Sequence, residues 1–249
     1  MNPTTTFTSY CQQLALTGLA AGFESLIEQV QLHQPGYVEY ANLLLETELT
    51  HRRKKELERR LKDARLPLVH DLEVYDESFQ NGLSPAQFNQ LKELTWLDQN
   101  FNLVLMGPSG TGKSFIAAGL CHHAIKMGYK GYFRTIDQIM DMLKMKDLTR
   151  TAMADFKRLT KAHLLVIDDI MLFPVAKTEA AKLFGFINQL FERTSLIITT
   201  NKAPQEWPQM LDDEVLATAL LDRILFRCQV IKLSGKSFRL LNRKSIFEN

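Results

Sequence analysis

Residues 107–114 read Gly107-Pro108-Ser109-Gly110-Thr111-Gly112-Lys113-Ser114, which fits the pattern G-x-x-x-x-G-K-[ST]. Such a run curls around phosphate oxygens. Its glycines let backbone N–H groups point inward where a Cβ would block them. All eight are therefore candidate ligands of a nucleoside triphosphate. The Lys113 ammonium reaches toward the β- and γ-phosphates, and the Ser114 hydroxyl is placed to ligate a magnesium ion. A second chemical pair is Asp168-Asp169, at the end of the apolar run Leu164 to Ile167. In P-loop ATPases the first acid at such a point holds magnesium. The second, Asp169, can polarise the attacking water. Asn201 closes a third run, SLIITTNK; it can hold the lytic water or touch the γ-phosphate, and it fits equally well as a capping residue.

These groups need rigid elements to position them. The apolar runs predict an α/β fold: a P-loop core of parallel strands near 102–106, 131–135, 163–168, 195–200 and 229–233, with helices on both faces. Phe115 to Met127, without Pro, reads as the helix after the phosphate loop, its N-terminus facing the anion. The segment 219–227, ALLDRILFR, reads as a helix with Leu220, Leu221, Ile224 and Leu225 inward and Arg223 and Arg227 on its polar face. Residues 1–75 are expected to form a small all-helical domain: an amphipathic helix over Gln12 to Gln31, a turn at Pro35-Gly36, and one or two helices over Tyr37 to Ala64. The catalytic domain is expected over 76–249, with no separate C-terminal lid; Tyr75, Phe79 and Phe88 fit either the join between domains or core packing alone. No internal repeat is visible.

The chain has 249 residues, 45% hydrophobic and 23% charged, ordinary for a globular protein. Its three scattered cysteines argue against a disulfide framework or a zinc site. No apolar stretch is long enough to span a membrane, and MNPTTTFTSY lacks a signal-peptide pattern, so a cytoplasmic location is expected. With a net charge of only +2, nucleic-acid binding must come from local patches. Residues 51–65, HRRKKELERRLKDAR, hold eight Lys or Arg against three acids. On a helix, Arg52, Arg53, Lys55, Arg59, Arg60 and Lys62 can meet phosphates. A solvated helix laced by Arg52–Glu56 and Lys54–Glu58 pairs explains the same pattern. A second basic stretch carries Lys144, Lys146, Arg150, Lys157, Arg158 and Lys161. A third cluster, Lys232, Lys236, Arg239, Arg243 and Lys244, fits either DNA contact or a frayed soluble end.

Taken in order, WLDQNFNLVLMGPSGTGKS, LLVIDDIMLFP, EAAKLFGFINQLFE, LIITTNKAPQEW and LLDRILFRCQVIKLSGKSFRL resemble the AAA+ ATPases of the DnaA/DnaC clade, and within it the IstB family of insertion-sequence helper ATPases. The likeness extends to LLLETELTHRRKKELERRLKDARLP and LEVYDESF, so it covers nearly all of the chain. It implies that Arg223 acts as an arginine finger in a neighbouring subunit's site, with a surface ion pair to Asp222 or a nearby acid as the alternative. It also implies that Arg239 meets the nucleotide and that the stretch from Lys144 to Lys161 faces nucleic acid. Three departures stand out: Asp169 where Glu is common, Phe226-Arg227 in place of a His pair, and KSFR where Glu-Ser-Tyr-Arg would align.

The expected function is then ATP and Mg2+-dependent hydrolysis by a helper that assembles as an ATP-bridged homo-oligomer on double-stranded DNA. It would bind largely without sequence preference, help select the target and stimulate a separate transposase. A DnaC-like helicase loader, a small-molecule kinase and an ATP-binding scaffold without turnover are the competing readings.

Overall fold

The structure is a computed structural model, described here for residues 3–74, 81–170, 177–210, 213–241 and 243. Tyr75, Phe79 and Lys244 lie outside the described residues. The chain divides into two compact units, 1–60 and 61–249.

The first unit is helical: α1 (Pro3–Gln13), α2 (Thr17–His33) and most of α3 (Tyr37–Ala64). The single helix expected over 12–31 is instead two. Ala15 takes a left-handed backbone with φ 55, and Leu16 N–H donates back to the Cys11 carbonyl at 2.7 Å, which closes α1. An alanine in that conformation leaves no sequence signal, so the break was not legible. The turn at Pro35-Gly36 is where expected: Gln34, with φ 47, ends α2, and one unbroken helix follows. A small core of Cys11, Leu19 and Leu26 holds this unit, with Phe7 stacked on Phe23 at 4.0 Å.

Glu48 is buried within it. Its carboxylate accepts from the N–H groups of Gly18 and Leu19 at 2.8 and 3.0 Å, at the start of α2, and from Arg52 Nε at 2.6 Å. It thereby satisfies orphan donors at a helix N-terminus, where the dipole favours negative charge. Burial pushes its pKa up, but Arg52 and the two N–H groups outweigh that and hold it below the usual carboxylate value.

In the second unit, α4 (Pro85–Lys92) and α5 (Thr95–Asp98) precede β1 (Asn102–Met106), α6 (Lys113–Lys126), β2 (Gly131–Thr135), α7 (Ile136–Met145) and α8 (Arg150–Leu159). Then come β3 (Leu164–Asp168), α9 (Lys177–Leu190), β4 (Ser195–Thr200), α10 (Glu214–Leu225), β5 (Cys228–Lys232) and α11 (Phe238–Leu241). Every strand lies within one residue of its expected position. Side chains at the turns start the helices: Ser84 and Thr135 form capping boxes with Gln87 and Gln138, and Thr149 and Asp213 cap α8 and α10.

The five strands are parallel in the order β2-β3-β4-β1-β5. β3 and β4 are buried throughout, as apolar runs in a covered parallel sheet must be. Val104, Leu165, Ile167 and Ile198 pack on one face with Leu183 and Phe186 of α9 and Leu220 and Ile224 of α10. Phe88 is buried on α4 within this unit. Among the described residues no helix is long and apolar enough to cross a membrane.

Charge also enters the interior at the edge of the sheet. Arg134, on the edge strand β2, is 1% exposed. It donates from Nη2 to Asp155 Oδ1 at 2.8 Å and from Nη1 to the Ala64 and Phe133 carbonyls at 3.0 and 2.7 Å. Arg65 and Arg158 add longer ion pairs to Asp155 at 3.4 and 3.6 Å. Burial raises the Asp155 pKa, yet the three guanidiniums outweigh it and hold the carboxyl below its usual value.

Candidate nucleotide site

The order of strands sets the site. β4 lies between β1, which feeds the phosphate loop, and β3, which ends in Asp168. Thr199 and Thr200 therefore stand between the loop and the acidic pair. Thr199 Oγ1 donates to Asp168 Oδ1 at 2.6 Å and accepts from the Asp169 N–H at 2.9 Å. This threonine was not among the sequence candidates. Its only signal was being polar at the end of a buried strand, the same signal that singled out Asn201.

Gly107 to Gly112 bend through three positive-φ glycines, with Gly112 (φ 93) at the N-cap of α6. Thr111 Oγ1 donates to the Pro108 carbonyl at 2.9 Å, and Ser109 is exposed at the loop's tip. Ser114 is half-buried in the first turn of α6. Gly107 admits the Leu233 carbonyl, which a Cβ there would meet at 2.2 Å. Lys113 is 5% exposed and donates to the Gly107 and Pro108 carbonyls at 2.8 and 2.9 Å. Its ammonium thus sits on two neutral acceptors inside the loop, and burial depresses its pKa although Asp169 and Asp168 pull it up.

Asp168 is 7% exposed. Asp169 has a left-handed backbone, φ 58, uncommon for a residue other than glycine. Burial, then the charge of Asp168, pushes its pKa above the usual aspartate value, against the pull of Lys113 and Arg239. The donor set fits a magnesium nucleotide: a hydroxyl, a buried carboxylate and a lysine beside N–H groups at a helix start, few protein ligands being what Mg2+ with phosphates takes. Among the described residues no group of three or more His, Cys, Asp or Glu is placed to hold a metal by itself. Cys121 and Cys228 are no rival nucleophiles, since burial pushes both thiols up to about 12.

Asn201 is exposed just beyond β4, beside the loop: Gly107 N–H donates to the Thr200 carbonyl at 3.2 Å. Arg239, on α11, is exposed and close enough for its charge to act on both Lys113 and Asp169. Arg223 is elsewhere. It lines a cleft with Asn102 and Leu196, at the N-terminal ends of β1 and β4, where Asn102 donates to the Ile224 carbonyl at 2.8 Å. The sheet separates it from its own phosphate loop by a strand's length, about 15 Å. It does not pair with Asp222 here; Nε donates to Asn188 Oδ1 at 2.7 Å, and the guanidinium lies 4.7 Å from the centre of the Phe184 ring.

The basic candidates split. Arg52 is bound to Glu48 rather than Glu56, and Arg59 to Glu56 at 2.8 Å. Lys144 pairs with Glu179, Lys146 with Asp147, and Arg158 with Asp155 and Asp63. Arg53, Lys55, Arg150, Lys157 and Lys161 are exposed.

A profile of the family described as IstB-like ATP binding protein matches residues 9–246. The chain belongs to the IstB-like ATP-binding family. The ATP-binding protein of an IS21-like insertion sequence from Bacteroides fragilis is 44% identical over 96% of this chain and 91% of that protein. The IS21 ATP-binding protein of Pseudomonas aeruginosa is 32% identical over 93% of this chain and 88% of its own length. Among solved structures, DnaI has a TM-score of 0.56 at 16% identity, over 70% of this chain and 93% of its own. AMPPCP-bound DnaA of Aquifex aeolicus also has 0.56 at 19%, over 70% and 53%. The DnaC helicase loader has 0.55 at 16%, over 66% and 96%. These three share the AAA+ fold. The family member described here thus belongs to an ATP-binding family and has the AAA+ fold.

Proposed function

We propose that this family member hydrolyses MgATP between subunits that assemble on duplex DNA, and that the assembly recruits and stimulates a separate transposase. The observation that carries the reading is the split of the machinery across the sheet. Lys113, Ser114, Asp168 and Asp169 gather at one end, and Arg223 stands at the other. Arg223 therefore meets a γ-phosphate only in a neighbour's site.

Bound magnesium would supply charge neutralisation on the phosphates. The chain's own residues do the rest. The loop N–H groups and Lys113 bind and orient the phosphates; Ser114 and Asp168 hold the ion. Asp169 and Asn201 orient water, and Asp169 takes its proton. Arg239 reads the bound nucleotide. The exposed residues Arg53 and Lys55 on α3, and Arg150, Lys157 and Lys161 around α8, meet phosphates without reading bases. A cytoplasmic place follows from such a substrate.

A mixing experiment tests the trans assignment. Arg223→Ala and Lys113→Ala subunits, each inactive alone, should recover hydrolysis together; no recovery despite proven co-assembly rules it out. DNA binding is tested by Lys157→Glu with Lys161→Glu, leaving Arg158 intact because it belongs to the Asp155 cluster. Affinity should fall, and the salt slope should flatten by about 0.9 per lost contact. ATP or a non-hydrolysable analogue should tighten DNA binding and enlarge the particle; indifference of both to nucleotide leaves a DNA-independent ATPase.

A further inference from the structure

We infer that Asn81 is a positioning residue of the nucleotide site, pinning the phosphate loop to the segment that carries Arg239; this rests on the reading of that site given above. Asn81 is 1% exposed. Its Nδ2 donates to the Thr111 carbonyl in the loop at 3.3 Å, and its Oδ1 accepts from the Leu83 N–H at 3.2 Å. Its backbone carbonyl accepts from the Ser234 N–H at 2.8 Å. Three stretches that are remote in sequence, 81–83, 107–114 and 233–239, meet at this one residue.

The contact is close because glycines permit it. Gly82 has φ 86, and a Cβ there would stand 3.1 Å from Ser234 Oγ and 3.2 Å from the Lys232 carbonyl. On the other side, Phe238 N–H donates to the Gly110 carbonyl at 2.9 Å, and a Cβ on Gly110 would lie 2.0 Å from Ser237 Oγ. The segment 233–239 is thus laid along the phosphate loop, with Arg239 at its end. A side-chain amide is the group this junction needs, since it offers a donor and an acceptor at once. An ionised carboxylate offers only acceptors. Asn81 therefore sets the spacing between the loop that holds the phosphates and the arginine that faces them.

The test measures MgATP affinity of the full chain with a fluorescent ATP analogue. Asn81→Ala and the isosteric Asn81→Asp should each bind about ten-fold more weakly while keeping a native far-UV spectrum, the loss expected for a buried hydrogen bond left unmade. Asn81→Asp keeps the acceptor facing Leu83 and loses the donor to Thr111, so wild-type affinity in it overturns the inference even if Asn81→Ala fails to fold; because it also adds a negative charge near the phosphates, a loss in it is read with the double variant. Because Asn81 acts through the Arg239 segment, the double variant with Arg239→Ala should lose less than the product of the single losses. Wild-type affinity in Asn81→Asp, or losses that multiply, overturns the inference. Arg239→Ala alone is the control: no loss there removes Arg239 from the site and the pinning role with it. A loss in Arg239→Ala without one in Asn81→Asp overturns only the inference.

Discussion

Asp155 and Asp169 are carboxylates drawn out of water in the same unit, yet their surroundings push them in opposite directions. Asp155 meets three guanidiniums and is held as a charge below its usual pKa. Asp169 meets a neighbouring carboxylate and is pushed above it, with Lys113 offsetting only part of the effect. The first cluster is over-neutralised and joins the sheet edge to Ala64 and α8. The second is left short of positive charge. A magnesium nucleotide brings its own cation, and a carboxylate that holds its proton less reluctantly is better able to accept one from water. Structural ion clusters and reaction sites both bury charge; what separates them is whether the protein completes the neutralisation itself.

The largest effect should come from the under-neutralised pair. Asp169→Asn should keep nucleotide binding and lose turnover by about 10²–10⁴-fold, the usual worth of a positioned base. Full turnover in a steady-state phosphate-release assay removes Asp169 from that role. Asp168→Ala should also abolish hydrolysis.

The over-neutralised cluster is next. Arg134→Met leaves Asp155 buried with its closest partner gone and should destabilise the second unit by about 3–5 kcal/mol in denaturant unfolding. The double variant Arg134→Met with Asp155→Leu should recover much of that loss, because it removes the stranded charge. Failure to recover would mean that the Ala64 contact, rather than the ion pair, holds this corner.

Acid should separate the two aspartates more finely. Asp155 has a lowered folded pKa, so its contribution to stability is present above the unfolded value and is lost as pH falls through the lower, folded one. Asp169 has a raised pKa, so turnover that needs it ionised fails first as pH drops. A kcat/KM–pH profile, which reports the free protein, beside melting curves should show activity vanishing at higher pH than folded structure, and coincident midpoints would contradict the contrast.

The smallest effect belongs to an exposed ion pair. Arg59 and Arg60 bring the Glu56 pKa down to about 2, but in full solvent such pairs are screened and contribute little. Glu56→Gln should leave the melting temperature of the chain unchanged within error. A clear drop would show that this stretch of α3 is held by its charges rather than by helix propensity.

What could be read from sequence was local. The phosphate loop is eight consecutive residues, and the strands announced themselves because a parallel sheet covered on both faces demands unbroken apolar runs. Asp168-Asp169 followed from standing at the end of such a run. The helical state of α3 was legible because no Gly or Pro interrupts it, though whether it formed one helix or two was not, and the break after α1 rests on an alanine with φ 55 that no pattern marks. Everything that depends on strand order was decided by tertiary structure. Inserting β4 between β1 and β3 brings Thr199 against Asp168 across 31 positions of sequence. The same packing places Arg223 at the far end of the sheet and Asn81 under Thr111, and it turns Arg134, an ordinary strand residue in the sequence, into a buried charge. Hydrogen bonds, desolvation and Coulomb interactions act through space, so side-chain type and spacing can propose a reacting group. Only the packed sheet decides which neighbours tune it.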